Sequence, residues 1–259
     1  MTVLSAHLRS HSYIVDWLED AYPIDTLLSA LNRSELSNSP LLPPVSSGRY
    51  PWARVGTAFS VGASLSQLHA VPQSVKQGAL AFNELRQLGH VDVSATGAKL
   101  TKEALLLEPF ETGFRSAHLY TPMFDMVNIG SQVTTDLNRL FEHNIPLLNG
   151  LRGSGCASDE SYSYKTNLDS ITADPDLVFR SSNTLTIVET KTTTKPTSAQ
   201  LGTLAIEQLL FLALFAIEPR NPVHVELYLH LSRQAKLIRI PIPSETIYAL
   251  RANLDLHSF

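Results

Sequence analysis

The sequence predicts an α/β protein whose N-terminal region is largely helical. Apolar residues recur at helical spacing through most of the first 150 residues, whereas after Gly150 short β-branched runs flank one long apolar helix. This second part reads in order as strand, strand, helix, strand and strand, which is typical of an α/β layer. With 259 residues, 44% of them hydrophobic and 17% charged, the chain can bury a sizeable core, so disordered, collagen-like and coiled-coil proteins are excluded.

The N-terminal region is expected to span residues 1–130 and to bind substrate, partner subunits or both. Residues 37–51 are rich in proline and serine and indicate either a linker or a long connection inside one domain. Pro72 stands where a helix can begin, and Gly89 stands where a helix can end. No structure is assigned to residues 90–130 from the sequence alone. Helices are predicted at residues 12–21, 24–31, 56–68 and 72–88.

The second unit is expected to span residues 131–259 and to begin with a helix over residues 131–143. Val133 and Leu137 belong to an apolar stripe on that helix. Residues 151–163 are rich in glycine, serine and acidic residues, so they are expected to form a loop.

A β-hairpin is predicted next, because strand-like residues 171–180 and 184–193 are separated by the short turn Ser181-Ser182-Asn183. After the hairpin the apolar pattern changes to that of a helix and then returns to that of strands. The expected elements are an apolar helix at residues 201–217, strands at residues 223–231 and 237–242, and a last helix at residues 244–254.

Residues 201–217 are almost continuously apolar, which raises the question of a membrane span. About 20 apolar residues are needed to cross ~30 Å of hydrocarbon. This run is shorter and carries Glu207 and Gln208 at its middle, so a helix buried in a soluble protein is expected and a membrane is not an expected partner. The first residues lack a basic start followed by an apolar run, so a cytoplasmic location is expected.

Two further counts limit the kinds of site. Cys156 is the single cysteine, which excludes a disulfide framework and any multi-cysteine zinc or iron–sulfur site. Lys and Arg total 20 against 24 Asp and Glu, a formal net charge of −4, so the chain has no global field that attracts phosphate. Binding of nucleic acid would therefore need local basic residues or a bound cation.

The residues with the clearest chemical meaning lie on the predicted hairpin. Asp176 is followed, thirteen positions later, by Glu189, Thr190 and Lys191. If the two strands pair across their short turn, Asp176 lies opposite the region of Glu189 to Lys191. Side chains two positions apart on a strand share a face, so Glu189 and Lys191 should project together next to Asp176.

Two carboxylates and one ammonium group in a single pocket have a clear chemical use. The carboxylates of Asp176 and Glu189, with the main-chain carbonyl of Thr190, make a hard oxygen site suited to Mg²⁺. Such a cation activates water as a nucleophile, and Lys191 is expected to orient or deprotonate this water or to neutralise charge on a phosphate. Hydrolysis of a phosphodiester is the expected reaction.

These residues resemble the signature of a known family. Pro175-Asp176 and Glu189-Thr190-Lys191 are similar to the two-part motif of the PD-(D/E)XK phosphodiesterases, which include many restriction endonucleases and the nuclease domains of RecB-type exonucleases. The resemblance implies a restriction endonuclease-like α-β-β-β-α-β core within residues 131–259. It also implies a Mg²⁺-dependent deoxyribonuclease that accepts Mn²⁺ and serves restriction, phage defence or repair.

The resemblance also implies roles for particular residues. Gln208, on the predicted apolar helix, stands seventeen positions beyond Lys191 and is similar to a glutamine that many RecB-type members place near the metal. The tyrosine that these members carry four residues later is replaced by Leu212. The implied metal ligands are Asp176, Glu189 and Thr190, and the implied catalytic residues are Asp176, Glu189, Lys191 and Gln208.

Further residues are candidates for the edges of the site. An acidic residue upstream often joins the metal site in this family, and Glu142 and Glu160 are the two candidates here. DNA is the expected partner, and Lys195, Arg180 and Lys165 are the candidate contacts to its phosphates.

Other interpretations stay open. The chain could keep a nuclease fold as a catalytically silent DNA-binding or assembly module, or it could be a metal hydrolase that acts on nucleotides. An active enzyme could also work as a homodimer or with a partner subunit.

The strand predicted at residues 223–231 has a polar face. His224, Glu226, Tyr228 and His230 share this face, for which a solvated or half-covered surface is favoured over a metal site.

Overall fold

The computed structural model describes residue 42 and residues 52–115, 131–160, 162–165, 170–173, 175–192, 209–210 and 212–256. These residues form a mixed α/β fold with helices and a five-stranded sheet, which confirms the predicted α/β class. The helices predicted at residues 12–21 and 24–31, and nearly all of the connection at residues 37–51, lie outside the described residues.

Helices precede the sheet in the described part of the chain. The helix predicted over residues 72–88 is interrupted at Phe82, and the next residue, Asn83, has a φ of 60°. Asn adopts positive φ at a lower cost than most residues, so the chain turns here. The observed helices are α1 (Trp52–Leu68), α2 (Gln73–Ala81), the short α3 (Leu85–Leu88), α4 (Ala98–Arg115) and α5 (Ser131–Gly150).

Two of these helices contain an internal proline, Pro109 in α4 and Pro146 in α5. A proline inside a helix costs roughly 3 kcal/mol, because it removes a hydrogen bond and crowds the preceding turn. Burial of Leu107 and Phe110 in α4 and of Leu148 in α5 offsets this cost. Helix α4 lies within residues 90–130, to which the sequence alone assigns no structure. Helix α5 continues through Pro146 and ends seven residues beyond its predicted end.

The main sheet has the strand order β1-β4-β5-β6-β7. Neighbouring strands are antiparallel except for β5 and β6, which are parallel. Strands β2 and β3 pair with each other in a separate two-stranded sheet. The strands are β1 (Cys156–Ser158), β2 (Tyr162–Lys165), β3 (Ser170–Ala173), β4 (Leu177–Arg180), β5 (Thr184–Lys191), β6 (His224–Leu231) and β7 (Lys236–Ile240).

Two local predictions in this region are wrong. The expected loop at residues 151–163 contains a 3-10 turn, Leu151–Ser154, then β1 and the beginning of β2, because β1 is too short to show an alternating pattern. The single strand expected at residues 171–180 is divided into β3 and β4 around Pro175, which lacks the N–H group needed for a strand ladder.

The remaining C-terminal predictions are confirmed within the described residues. Strands β4 and β5 form the expected antiparallel hairpin, and β6, β7 and the last helix, α6 (Ser244–Leu256), lie where the pattern predicts them. Residues 209–210 and 212–216, which belong to the predicted apolar helix, are helical and buried.

The sheet has a hydrophobic cluster on each face. On one face Leu185 and Ile187 of β5 pack with helical residues 209–210 and 212–216 and with α6. On the other face Val188 of β5 packs with Phe59 of α1 and Phe141 of α5, whose rings stack with their centroids 5.3 Å apart. Residues on both sides of position 130 thus share one cluster, and the division of the chain into two domains at residue 130 stays a prediction.

Helix α1 approaches α4 and α5 very closely at Gly62. A Cβ atom at this position would overlap the ring of Phe141 and would lie 2.9 Å from Cβ of Ala104. Only glycine allows this approach without a shift of the neighbours, so Gly62 fixes how deeply α1 lies against the rest of the helical layer.

The helices in the described part of the chain were also compared with the length needed to span a bilayer. None of them is long and apolar enough to cross a membrane.

Candidate functional site

The candidate site lies where β4 begins and β5 ends. Leu177 pairs with Val188, so the antiparallel register carries Asp176, the residue before β4, to the level of Glu189. The main-chain N–H of Thr190 donates a hydrogen bond of 2.8 Å to Oδ2 of Asp176. The structure therefore brings the carboxylate of Asp176 beside the Glu189–Lys191 segment, as the spacing predicts.

Helix α1 holds Asp176 from a second direction. The hydroxyl of Ser60 donates to Oδ1 of Asp176 at 2.7 Å, and the hydroxyl of Ser64 donates to its main-chain carbonyl at 3.0 Å. Ser60 and Ser64 are one helical turn apart and so face the same strand. Sequence reasoning missed both residues, because two serines four positions apart are common on helices and nothing local links them to Asp176.

Glu189 and Lys191 form an ion pair at the end of β5. Nζ of Lys191 donates to Oε1 of Glu189 at 2.7 Å, and their side chains are 26% and 12% exposed respectively. Alternation along β5 places both side chains on the face of Leu185 and Ile187. The predicted carboxylate and ammonium therefore lie together, partly shielded from solvent.

The donor atoms suit a hard divalent cation. Within the described ranges, no group of three or more His, Cys, Asp or Glu side chains is arranged to hold a metal ion. Mg²⁺, however, usually takes one or two carboxylates and completes its shell with water and substrate oxygens. Each oxygen of Asp176 accepts one hydrogen bond and keeps a second lone pair, so Asp176, Glu189 and the carbonyl of Thr190 fit Mg²⁺ by their chemistry.

A buried polar chain lies directly behind Thr190. Thr190 and His230 are register partners on the parallel strands β5 and β6, and Oγ1 of Thr190 lies 3.2 Å from Nδ1 of His230. Nε2 of His230 lies 2.7 Å from Oδ1 of Asn144 in α5. Complete burial lowers the pKa of His230 to about 3, so its imidazole is neutral at physiological pH.

The polar face of β6 is half-covered, which is one of the two surfaces that the sequence favours, and His230 lies at its covered end. This side chain is fully buried and lies against Phe59, with ring centroids 5.7 Å apart, because α1 and α5 cover that end of the strand. His224, at the other end of β6, is exposed, and Nε2 of His224 lies 3.6 Å from Oε1 of Glu226. In the described part of the chain this face holds no metal-binding group.

The end of β5 has one further support. Ser232, immediately after β6, donates from its hydroxyl to Oγ1 of Thr192 at 3.0 Å and to the carbonyl of Lys191 at 3.4 Å. On the opposite side, a Cβ atom at Gly56 of α1 would lie 3.8 Å from Cβ of Thr192. The strand end that carries the candidate site is thus held between α1 and the end of β6.

Glu160 and Arg180 form a cluster of their own with Tyr162. Nη2 of Arg180 lies 2.8 Å from Oε2 of Glu160, and the hydroxyl of Tyr162 donates to the same oxygen at 2.5 Å. Burial opposes ionisation of Glu160, but the hydrogen bonds from Arg180, Tyr162 and Ser158 outweigh it and lower the pKa of Glu160 to about 2. Arg180 stands at the end of β4 away from Asp176, so the structure brings these two residues to each other and gives neither of them a contact with Asp176.

The other predicted site residues have the following positions. Glu142 is exposed on α5. Lys165 is the last residue of β2, and its side chain lies outside the described residues. Gln208 and Lys195 also lie outside the described residues, so their roles stay predictions.

Comparisons of the chain with models of protein families, with curated proteins and with solved structures find no match. The basis for a functional proposal is therefore the chemistry of the residues and the geometry described above.

Proposed function

We propose that this protein is a metal-dependent deoxyribonuclease of the PD-(D/E)XK type, which hydrolyses phosphodiester bonds in DNA. One observation carries the proposal: the hydrogen bond from the Thr190 N–H holds the carboxylate of Asp176 at the end of β5, beside the segment that carries the Glu189–Lys191 ion pair. Ionised groups that lie partly buried in such an arrangement are costly to maintain, and they are typical of functional sites.

The order of the elements supports a restriction endonuclease-like core. Helix α5 is followed by β1, β4 and β5, which are antiparallel neighbours, then by helical residues 209–210 and 212–216, and then by β6, which is parallel to β5. This order supports the α-β-β-β-α-β core implied by the resemblance, in which the β2–β3 pair would be an insertion between the first and second strands.

The carboxylates of Asp176 and Glu189 and the main-chain carbonyl of Thr190 would hold Mg²⁺ or Mn²⁺. When bound, such a cation lowers the pKa of water and offsets negative charge on a phosphate. Ser60 and the Thr190 N–H already orient the Asp176 carboxylate, so this ligand needs little rearrangement.

Lys191 is the residue that we assign to the reacting phosphate. Its ammonium group is held at the site by Oε1 of Glu189 and can donate hydrogen bonds to a phosphate oxygen or to the oxygen of the attacking water. A positive charge fixed there stabilises the negative charge that develops on the phosphate in the transition state. The ion pair with Glu189 keeps this charge in place before substrate arrives.

The charge balance of the chain implies weak binding of DNA without metal. The formal net charge is −4, and the two carboxylates of the site repel phosphate until a cation is present. Restriction, phage defence and repair are the processes that a deoxyribonuclease of this kind would serve, as a homodimer or with a partner subunit.

The proposal is tested by cleavage of linear, circular and single-stranded DNA with Mg²⁺ or Mn²⁺. Wild type is compared with Lys191→Met and with Lys76→Met, a control lysine that is exposed on α2. We expect metal-dependent cutting by wild type and by the control, and a loss of at least about 100-fold in Lys191→Met at equal folded concentration. The product pattern separates endonuclease from exonuclease activity.

Titration with Mn²⁺ separates the nuclease from a catalytically silent module. We expect wild type to bind Mn²⁺ and Glu189→Gln to lose this binding, whereas Glu218→Gln, an exposed acidic control, keeps it. A protein that binds DNA but neither binds Mn²⁺ nor cuts would instead be a DNA-binding or assembly module. Release of phosphate or nucleoside from nucleotides, with DNA left intact, would indicate a nucleotide hydrolase.

A further inference from the structure

We propose that His230 is a positioning residue for the candidate metal site: its buried imidazole fixes Thr190, and through Thr190 it fixes Asp176. This inference rests on the proposed function, since the site that His230 would position is the metal site of the proposed nuclease. No local pattern in the sequence links His230 to Thr190, which lies 40 residues away.

The proton positions in this chain of hydrogen bonds follow from Asn144. Its side-chain nitrogen donates to the carbonyls of Leu140 at 2.7 Å and Ser232 at 3.0 Å, which orients its oxygen towards Nε2 of His230. An amide oxygen only accepts hydrogen bonds, so Nε2 of His230 carries the proton. Nδ1 of the neutral ring is then an acceptor, and the hydroxyl of Thr190 donates to it.

Thr190 is the point at which this chain meets the site. Its hydroxyl is bonded to His230, its N–H is bonded to Oδ2 of Asp176, and its carbonyl is the third oxygen of the proposed metal site. The N–H and the carbonyl of Thr190 belong to adjacent peptide groups that meet at its Cα atom, so a displacement of Thr190 would move the hydrogen bond to Asp176 and the carbonyl together. An anchor on the side chain of Thr190 therefore controls two of the three proposed ligands.

The anchor lies in a fully buried environment. His230, Asn144 and Ser232 are each 0% exposed. The stability of the fold does not require polar groups at these buried positions, because well-packed apolar residues of similar volume stabilise a core at least as well. A complete polar chain that ends on Thr190 instead specifies one orientation of the residue between Glu189 and Lys191.

Amide substitutions of His230 separate its two hydrogen bonds. In His230→Asn the side-chain oxygen can occupy the position of Nδ1 and accept from Thr190, but the bond to Asn144 is lost. In His230→Gln the side-chain nitrogen can occupy the position of Nε2 and donate to Asn144, but the bond to Thr190 is lost. A positioning role predicts that the Asn variant keeps the site better than the Gln variant, whichever of them is more stable.

Two variants of Thr190 test the same bond without a change in the core. Thr190→Ser keeps the hydroxyl, whereas Thr190→Val removes it and keeps the branched shape. Once Thr190→Val has removed the hydrogen bond to His230, the addition of His230→Gln should change the amide exchange of Thr190 and the affinity for Mn²⁺ only slightly. The two substitutions act on one interaction, so their effects should not add.

The first readout uses the metal-free protein and does not depend on activity. Hydrogen exchange at the Thr190 amide, measured by NMR, reports its bond to Asp176. We expect exchange about 5- to 10-fold faster in Thr190→Val and His230→Gln, the equivalent of one lost hydrogen bond, and little change in Thr190→Ser and His230→Asn. Equal exchange in all four variants would overturn the positioning role.

The second readout is the affinity for Mn²⁺, with the cleavage rate measured beside it. We expect Thr190→Val and His230→Gln to bind Mn²⁺ about 10- to 100-fold more weakly, the usual effect of losing a group that orients a ligand. Affinities that follow thermal stability, and not the presence of the Thr190 bond, would overturn the inference. If wild type neither binds Mn²⁺ nor cuts DNA, the proposed function fails, and the exchange measurement still decides whether His230 fixes Thr190.

Discussion

Ser60 and Asp176, which are 116 residues apart in the sequence, are joined by a hydrogen bond of 2.7 Å from the serine hydroxyl to Oδ1 of the aspartate. The other carboxylate oxygen of Asp176 accepts from the main-chain N–H of Thr190. Both oxygens are thus oriented by groups from different elements, α1 and β5. The Asp176 carboxylate is therefore fixed before any ligand binds, which is the condition for a site that needs little rearrangement.

Removal of the Ser60 hydroxyl should weaken the proposed metal site and leave the fold intact. In Ser60→Ala, Oδ1 of Asp176 loses its donor, and a hydrogen bond to a charged group is worth about 1.5–3 kcal/mol. We expect the Mg²⁺ concentration for half-maximal DNA cleavage to rise about 10- to 100-fold. Ser66→Ala, on the same helix and half-buried, is the matched control. An unchanged Mg²⁺ requirement in Ser60→Ala would mean that this bond does not orient a ligand.

Acid should destabilise the fold through two groups whose effects begin at different pH values. Burial lowers the pKa of His230 from 6.5 to about 3, so between these values the unfolded chain binds a proton that the folded chain does not. Stability should therefore fall as the pH drops below about 6.5, by at most about 1.4 kcal/mol per pH unit for this group. Glu160, whose pKa is lowered from 4.5 to about 2, adds a second loss that begins only below about 4.5.

Urea unfolding at several pH values between 7.5 and 5 checks the effect of His230. We expect wild type and Glu160→Gln to lose stability in parallel over this range, since Glu160 does not yet titrate. His230→Asn should be less stable at every pH but should show a smaller dependence on pH. If the free energy of unfolding depends on pH as steeply in His230→Asn as in wild type, groups other than His230 cause the acid sensitivity.

Substitution of Gly62 should destabilise the packing of α1. In Gly62→Ala the new methyl group overlaps the ring of Phe141, which is itself stacked on Phe59 and has little room to move. We expect a net loss of about 1–3 kcal/mol. For a protein of this size, this corresponds to a fall in Tm of about 2–4 °C per kcal/mol.

Gly150→Ala is the matched control for this prediction. Gly150 ends α5 with a helical φ of −61°, and a Cβ atom there would meet no atom within 4 Å. An alanine at such a position stabilises by about 0.4–1 kcal/mol, because it restricts the unfolded chain. Thermal unfolding should therefore show a lower Tm for Gly62→Ala and a higher Tm for Gly150→Ala than for wild type. A Gly62→Ala protein as stable as wild type would contradict the close approach of α1 to α5.

The parts of the site that lie close together in the sequence were predictable from the sequence. Asp176, Glu189 and Lys191 belong to one hairpin, and strand pairing across a short turn is enough to predict that Asp176 lies beside the Glu189–Lys191 segment. Ser60, Asn144 and His230 come from other elements, and no local pattern encodes their contacts.

The fold also divides into elements that a local sequence pattern predicts and elements that depend on distant contacts. Long periodic elements such as β6 and α6 are visible in the pattern of apolar residues. Strand β1, with three residues, exists because it pairs with β4, and α4 continues through Pro109 because its neighbours bury it. Tertiary contacts decide such elements, so their sequences carry little local signal.

The parallel pairing of β5 with β6 has a consequence for the order in which the protein matures. Parallel neighbours need a crossover connection, so Thr190 meets His230 only after the chain from β5 to the end of β6 has been made and has closed a long loop. The contacts of Ser60 with Asp176 and of Asn144 with His230 are also distant in sequence, and such contacts form slowly. A nascent chain that has emerged only as far as β5 carries Asp176, Glu189 and Lys191 but not the imidazole behind them. The hydrogen bond that anchors Thr190 therefore forms only after β6 has paired with β5.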